Sequence, residues 1–103
     1  MVISERFAVS AGTLRDFCTQ HGIRRLSVFG SALREDFRAD SDIDVLVEFI
    51  PDRIPGLLGM AAIERALSNL LGGRTVDLRT AEDLSRYFRD KVLAASEVQY
   101  DRG

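Results

Sequence analysis

The sequence predicts an α/β (α+β) fold, a small mixed sheet covered by helices, and three observations carry that prediction. Short segments rich in aliphatic residues, at 24–29, 42–49 and 74–79, alternate with period two as strands do. Longer segments at 13–21, 57–71 and 80–95 repeat apolar residues at spacings of three and four, as helices do. Gly22, Pro51, Pro55, Gly56 and the Gly72-Gly73 pair stand at the joints between them. With 103 residues the chain is a single domain, 1–103, with a modest core and no room for a second.

Residues 1–10 are mixed and are expected to fray or lie across the surface. In the helix predicted at 13–21, Leu14, Phe17, Cys18 and His21 form one face, Thr13 with Asp16 offers a cap, and Gly22 a stop. Cys18 reads as core, since no activating partner for a nucleophile is evident, and His21 reads as a helix-end structural residue. In 24–29, Leu26 and Val28 take one face and Ser27 and Phe29 the other. A short helix is predicted at 31–35, with Phe37 anchoring the loop to Ser41.

Along 42–49, Ile43, Val45, Val47 and Phe49 make a continuous apolar row. The helix at 57–71 has a buried stripe of Met60, Ile63, Leu67, Leu70 and Leu71, with Glu64, Arg65, Ser68 and Asn69 facing out. Val76 and Leu78 face one way in 74–79 and Asp77 the other. The last helix, 80–95, opens on Thr80 and Asp83, close to a capping box, with Leu84, Phe88, Val92 and Ala95 inward. Arg86, Arg89 and Lys91 give it a basic outer rim, open to nucleotide phosphates, an acidic partner or solvent alone. Residues 96–100 carry no derivable chemistry.

A formal charge of -2 argues against nonspecific binding to a nucleic-acid backbone, so no direct nucleic-acid partner is expected. The single cysteine excludes an internal disulfide, and no stretch is long or apolar enough for a signal peptide or membrane span. A cytoplasmic location is expected.

The chemistry sits between residues 25 and 49. Asp42 and Asp44, two apart, project on the same strand face, where paired carboxylates repel unless a hard cation such as magnesium sits between them. The same residues also read as a solvated turn running into an edge strand. Upstream, Gly30 lets the backbone come close to a ligand, and Ser31 offers a hydroxyl and an amide at a helix start suited to phosphate oxygens. Ten residues separate Ser31 from Asp42.

Gly-Ser, a ten-residue spacer and a strand-borne Asp-x-Asp resemble the nucleotidyltransferase superfamily that includes DNA polymerase beta, and in particular its minimal MNT-domain members, antitoxins of the HEPN/MNT toxin–antitoxin type. The resemblance implies a polymerase beta palm-like fold and a site of two Mg2+ ions held by Asp42, Asp44 and Asp77, with ATP as substrate. Asp77, alone a solvated strand residue, becomes the third carboxylate, on a Val-Asp-Leu strand after a long helix. Gly30, Ser31 and Arg34 would bind the nucleotide, although Arg34 reads equally as an exposed arginine. The glycine that these proteins commonly carry shortly after Gly-Ser is absent, with Leu33, Arg34 and Glu35 in its region.

By that resemblance the chain is an antitoxin that transfers AMP from ATP to a hydroxyl, a tyrosine of a cognate HEPN ribonuclease toxin, and releases pyrophosphate. The chain's size agrees, because no further domain is left to present an acceptor, and the acceptor must bring its own surface. The alternative is a non-catalytic antitoxin that neutralises a HEPN toxin by binding alone. Transfer to a small molecule is a third reading, but aminoglycoside nucleotidyltransferases usually carry an additional helical domain.

Overall fold

The computed structural model describes residues 6, 7, 9–30 and 42–103. The expected helix at 31–35, with Ser31, Arg34 and Phe37, lies outside the described residues. Four strands, β1 (Ile23–Phe29), β2 (Ile43–Phe49), β3 (Val76–Arg79) and β4 (Glu97–Asp101), form one sheet in the order β3-β2-β1-β4. Among the described residues, the α-helices α1 (Ala11–Gln20), α2 (Leu57–Leu70) and α3 (Arg86–Ala95) accompany them. β1 pairs antiparallel with both β2 and β4, whereas the crossover through α2 lets β3 run parallel to β2.

The core lies on one face of this sheet. Leu26 and Val28 of β1, Ile43, Val45 and Val47 of β2, and Val76 and Leu78 of β3 pack with Leu14 and Cys18 of α1 and Ile63 and Leu67 of α2. The apolar row expected on β2 is therefore the core row, with Phe49 partly buried at its end.

Local chemistry departs from the sequence expectations at four places. α1 is capped by Ser10, whose Oγ accepts from the Thr13 amide at 3.0 Å, so the helix begins at Ala11 and Thr13 lies inside it. Gly22 ends it with φ 69 as expected, and His21 packs its ring 4.5 Å from that of Phe17. Near the N-terminus, Val9 is buried and Phe7 packs against the core beneath the Arg74 guanidinium. Residues 7 and 9 are thus part of the core and not a fraying end.

On α2, Glu64 and Ser68 turn toward β3 instead of facing out. The Leu78 amide donates to Glu64 Oε2 at 2.9 Å, and Ser68 Oγ donates to the Arg74 carbonyl at 2.5 Å. β3 is an edge strand with backbone groups that β2 cannot pair, and the helix side chains supply the missing partners.

The last helix begins later than the pattern predicts. Thr80 and Asp83 do form a capping box, but it closes a 3-10 turn, Ala81–Asp83. Leu84 is extended, and Ser85 caps a new helix running from Arg86. The restart shifts the helical phase, so no residue of α3 is buried and Phe88, expected inward, is 60% exposed. Arg89 leaves the expected basic rim, its Nε donating to the Ala81 carbonyl at 2.7 Å. Beyond α3, residues that carried no signal form β4, tied to β1 by the Arg25–Asp101 ion pair at 3.2 Å. The Gly103 amide and Arg25 hold the Asp101 carboxyl below the usual carboxylate range. No described helix is long and apolar enough to cross a membrane.

Cys18 is 0% exposed, and burial pushes its thiol from an ordinary 9.0 up to about 12. A thiol reagent at pH 8 should leave the folded protein unmodified and label one equivalent after denaturation. Because the unfolded thiol ionises first, this contribution to stability is complete below pH 9 and falls as pH rises toward 12, by up to about 1.4 kcal/mol per pH unit. Urea titrations should show that slope in the wild type and its loss in Cys18→Ala.

Candidate active site

The site is built by strand register. Parallel pairing sets Asp44 of β2 directly beside Asp77 of β3, flanked in register by Ile43 with Val76 and Val45 with Leu78. Those four flanking side chains are buried on the core face, so alternation sends both carboxylates to the opposite face, where each is half-buried. Asp42 stands one residue before β2, exposed, and the Ile43 amide beside it donates to the Thr75 carbonyl at 2.9 Å. Only Ile43 separates it from Asp44, and strand alternation continued by one residue puts it on the same side.

On the other flank, antiparallel pairing sets Phe29 of β1 opposite Asp44, and the next residue is Gly30. Its φ is 66, a left-handed conformation that side chains disfavour. A Cβ there would run into Asp44 Oδ2 and lie 3.2 Å from Asp44 Cγ. Glycine is required at position 30 on both counts, and the backbone turn lies directly against the Asp44 carboxylate. Ser31 and Arg34, the other expected nucleotide contacts, fall outside the described residues.

Arg79 is a participant that the sequence reading missed. Its Nε lies 3.2 Å from Asp77 Oδ2, with the two side chains 46% and 38% exposed. An exposed pair of this kind contributes ~0–1 kcal/mol and yields readily to a stronger cation. The available signal was its position two residues after Asp77 on the same strand face. Among the described residues no three His, Cys, Asp or Glu side chains are gathered as a metal-ready cluster. Asp44 and Asp77 meet as neighbours on adjacent strands, with Asp42 just before β2. The donor set is all carboxylate oxygen on one face of the sheet, which suits a hard divalent cation.

Comparison with known proteins places this arrangement in context. Residues 13–103 match the family described as Polymerase beta, Nucleotidyltransferase. The protein adenylyltransferase MntA of Thermococcus cleftensis is 36% identical over 100 residues, spanning 97% of this chain and 96% of that protein. A solved structure assigned as a minimal nucleotidyltransferase is 36% identical with a TM-score of 0.73, covering 94% of this chain and 95% of its own. A chain in the complex of a tri-AMPylated Shewanella oneidensis HEPN toxin with an MNT antitoxin matches with a TM-score of 0.57 at 16% identity. That match covers 88% of this chain and 69% of the other, and at this identity the likeness is one of fold.

Gly30→Ala tests the packing of the site without reference to its chemistry. The positive φ alone should destabilise the fold by about 1–2 kcal/mol in urea titration. Displacement of the Asp44 carboxylate should add to this, so that Gly30→Ala costs clearly more than Gly73→Ala, where φ is 85 but nothing lies within 4 Å of the added Cβ.

Proposed function

The chain belongs to the polymerase beta nucleotidyltransferase family, and on that premise we propose that it transfers AMP from ATP to a tyrosine hydroxyl of a cognate HEPN ribonuclease toxin, acting as its antitoxin. The observation that carries this reading is the placement of Asp44 beside Asp77 on parallel strands, with Gly30 packed against Asp44. Similarity to a protein adenylyltransferase over nearly the full length supports it. The chain is accordingly a nucleotidyltransferase, and the nature of its acceptor is the proposal.

In the proposed reaction the acceptor oxygen attacks the α-phosphorus of ATP. A new O–P bond forms, the bond from that phosphorus to the α–β bridging oxygen breaks, and pyrophosphate leaves. Asp77 takes the hydroxyl proton or orients the hydroxyl for its loss to solvent. For that, Asp77 exchanges its contact with Arg79 for the acceptor. Gly30 and Ser31 hold the phosphates, and Arg34 reaches the triphosphate through its planar fork. Magnesium, held by Asp42, Asp44 and Asp77, would offset the phosphate charge and favour the ionised acceptor. A phosphate added beside an RNA-binding site repels the RNA backbone, which explains how such a modification silences a ribonuclease.

The decisive experiment combines the purified chain, magnesium, ATP labelled at the α-phosphate and the cognate toxin, read by gel and intact mass. Label and one or more AMP masses should appear on the toxin, and chelation by EDTA should abolish both. Asp42→Asn, Asp44→Asn and Asp77→Asn should each lower transfer on the order of 10^3-fold. The fold should be retained or stabilised, because each change relieves repulsion between neighbouring carboxylates. Undiminished transfer in these variants would sink the assignment, and a stable toxin complex without any transfer would replace catalysis by neutralisation through binding alone.

A further inference from the structure

The outward face of the sheet continues past Asp44, and its far part is enclosed. Leu46 follows Asp44 by two residues on the same face, and Ser27 of β1 is paired opposite it. Both lie opposite the core face, yet Leu46 is only 4% and Ser27 only 3% exposed. Val98 of β4 lies beside Ser27 on the sheet, Leu93 and Ser96 come from the end of α3, and these side chains with Leu46 and Ser27 line a cavity of about 250 Å³. Arg25 and Glu48 close its far end, held together at 3.1 Å.

We propose that this cavity receives the nucleobase of the donor nucleoside triphosphate, a proposal that rests on the functional reading above. Two strand residues span about 7 Å, a distance that one ribose bridges between a phosphate held at Asp44 and a ring lying over Leu46. The cavity lies below the roughly 300 Å³ at which drug-sized pockets begin, which suits a single flat ring system and not a peptide segment. Its chemistry suits a base as well. Leu46 and Val98 on the sheet would meet one flat surface of a ring and Leu93 of α3 the other. The Ser27 hydroxyl and the Glu48 carboxylate meet its polar edge, where an exocyclic amino group has protons to donate.

Calorimetric titration of the full chain in magnesium with ATP and with inorganic tripolyphosphate tests the inference. Wild type should bind ATP roughly tenfold more tightly than tripolyphosphate, or better, about 1.4 kcal/mol at tenfold. Leu93→Trp and Val98→Trp fill the cavity from its outer wall, and because the parent side chains are 42% and 53% exposed both variants should fold, as circular dichroism will verify. Each should reduce ATP affinity to that of tripolyphosphate and leave tripolyphosphate binding unchanged. Equal binding of the two ligands by wild type, or variants that weaken both ligands or neither, overturns the base pocket while leaving transfer chemistry intact. Failure of wild type to bind either ligand overturns the pocket together with the nucleotide reading itself.

Discussion

The register between β2 and β3 is the constraint on which the rest depends. A slip of β3 by one residue against β2 would turn Asp77 into the core and Val76 and Leu78 onto the opposite face, away from Asp44 and from the buried Ile43 and Val45. The hydrophobic effect therefore fixes the geometry of the carboxylates without touching them. Burial of four aliphatic side chains on one face is worth several kcal/mol, ample to hold two mutually repelling carboxylates side by side on the other. Arg79 supplies a countercharge to Asp77 on that face at 3.2 Å, and a bound divalent cation would supply a stronger one to both carboxylates.

Most of the framework was legible because burial leaves a periodic signature. β1, β2, β3, α1 and α2 each present a buried row at the spacing of a strand or a helix, and each lies within a few residues of where the pattern predicts it. β4 was invisible for the complementary reason. It is an edge strand whose residues are exposed or half-buried; Val98 and Tyr100 alternate with polar residues, but the run is only five residues long and a register shift pairs Tyr100 with Leu26 and Val98 with Ser27, so only Tyr100 packs against the core. α3 misled because Thr80 with Asp83 and Ser85 are both valid caps, and which of them opens the long helix depends on Leu84 being extended. Glu64 and Ser68 were sorted outward by polarity, since helical periodicity carries no information about an edge strand within hydrogen-bonding reach.

The site divides the same way. Asp42, Asp44 and Gly30 stood out as candidates by residue type and spacing, whereas Asp77 read as a solvated strand residue and became a candidate only through the family resemblance. That Asp44 lies directly beside Asp77, and that Gly30 must lack a side chain to make room for Asp44, are facts of strand pairing and emerge only in three dimensions. The enclosed part of the outward face was equally hidden, since Leu93 and Val98, which line it, come from the two elements that the pattern described least well.

Glu64 has a consequence for how the molecule meets others. An open strand edge is an invitation to any extended segment, including the same strand of a second copy. By accepting the Leu78 amide, Glu64 occupies one of the pairing positions that such a visitor would need, and it does so with a carboxylate that repels acidic neighbours. The strand bearing Asp77 is thereby guarded at that position against templated growth.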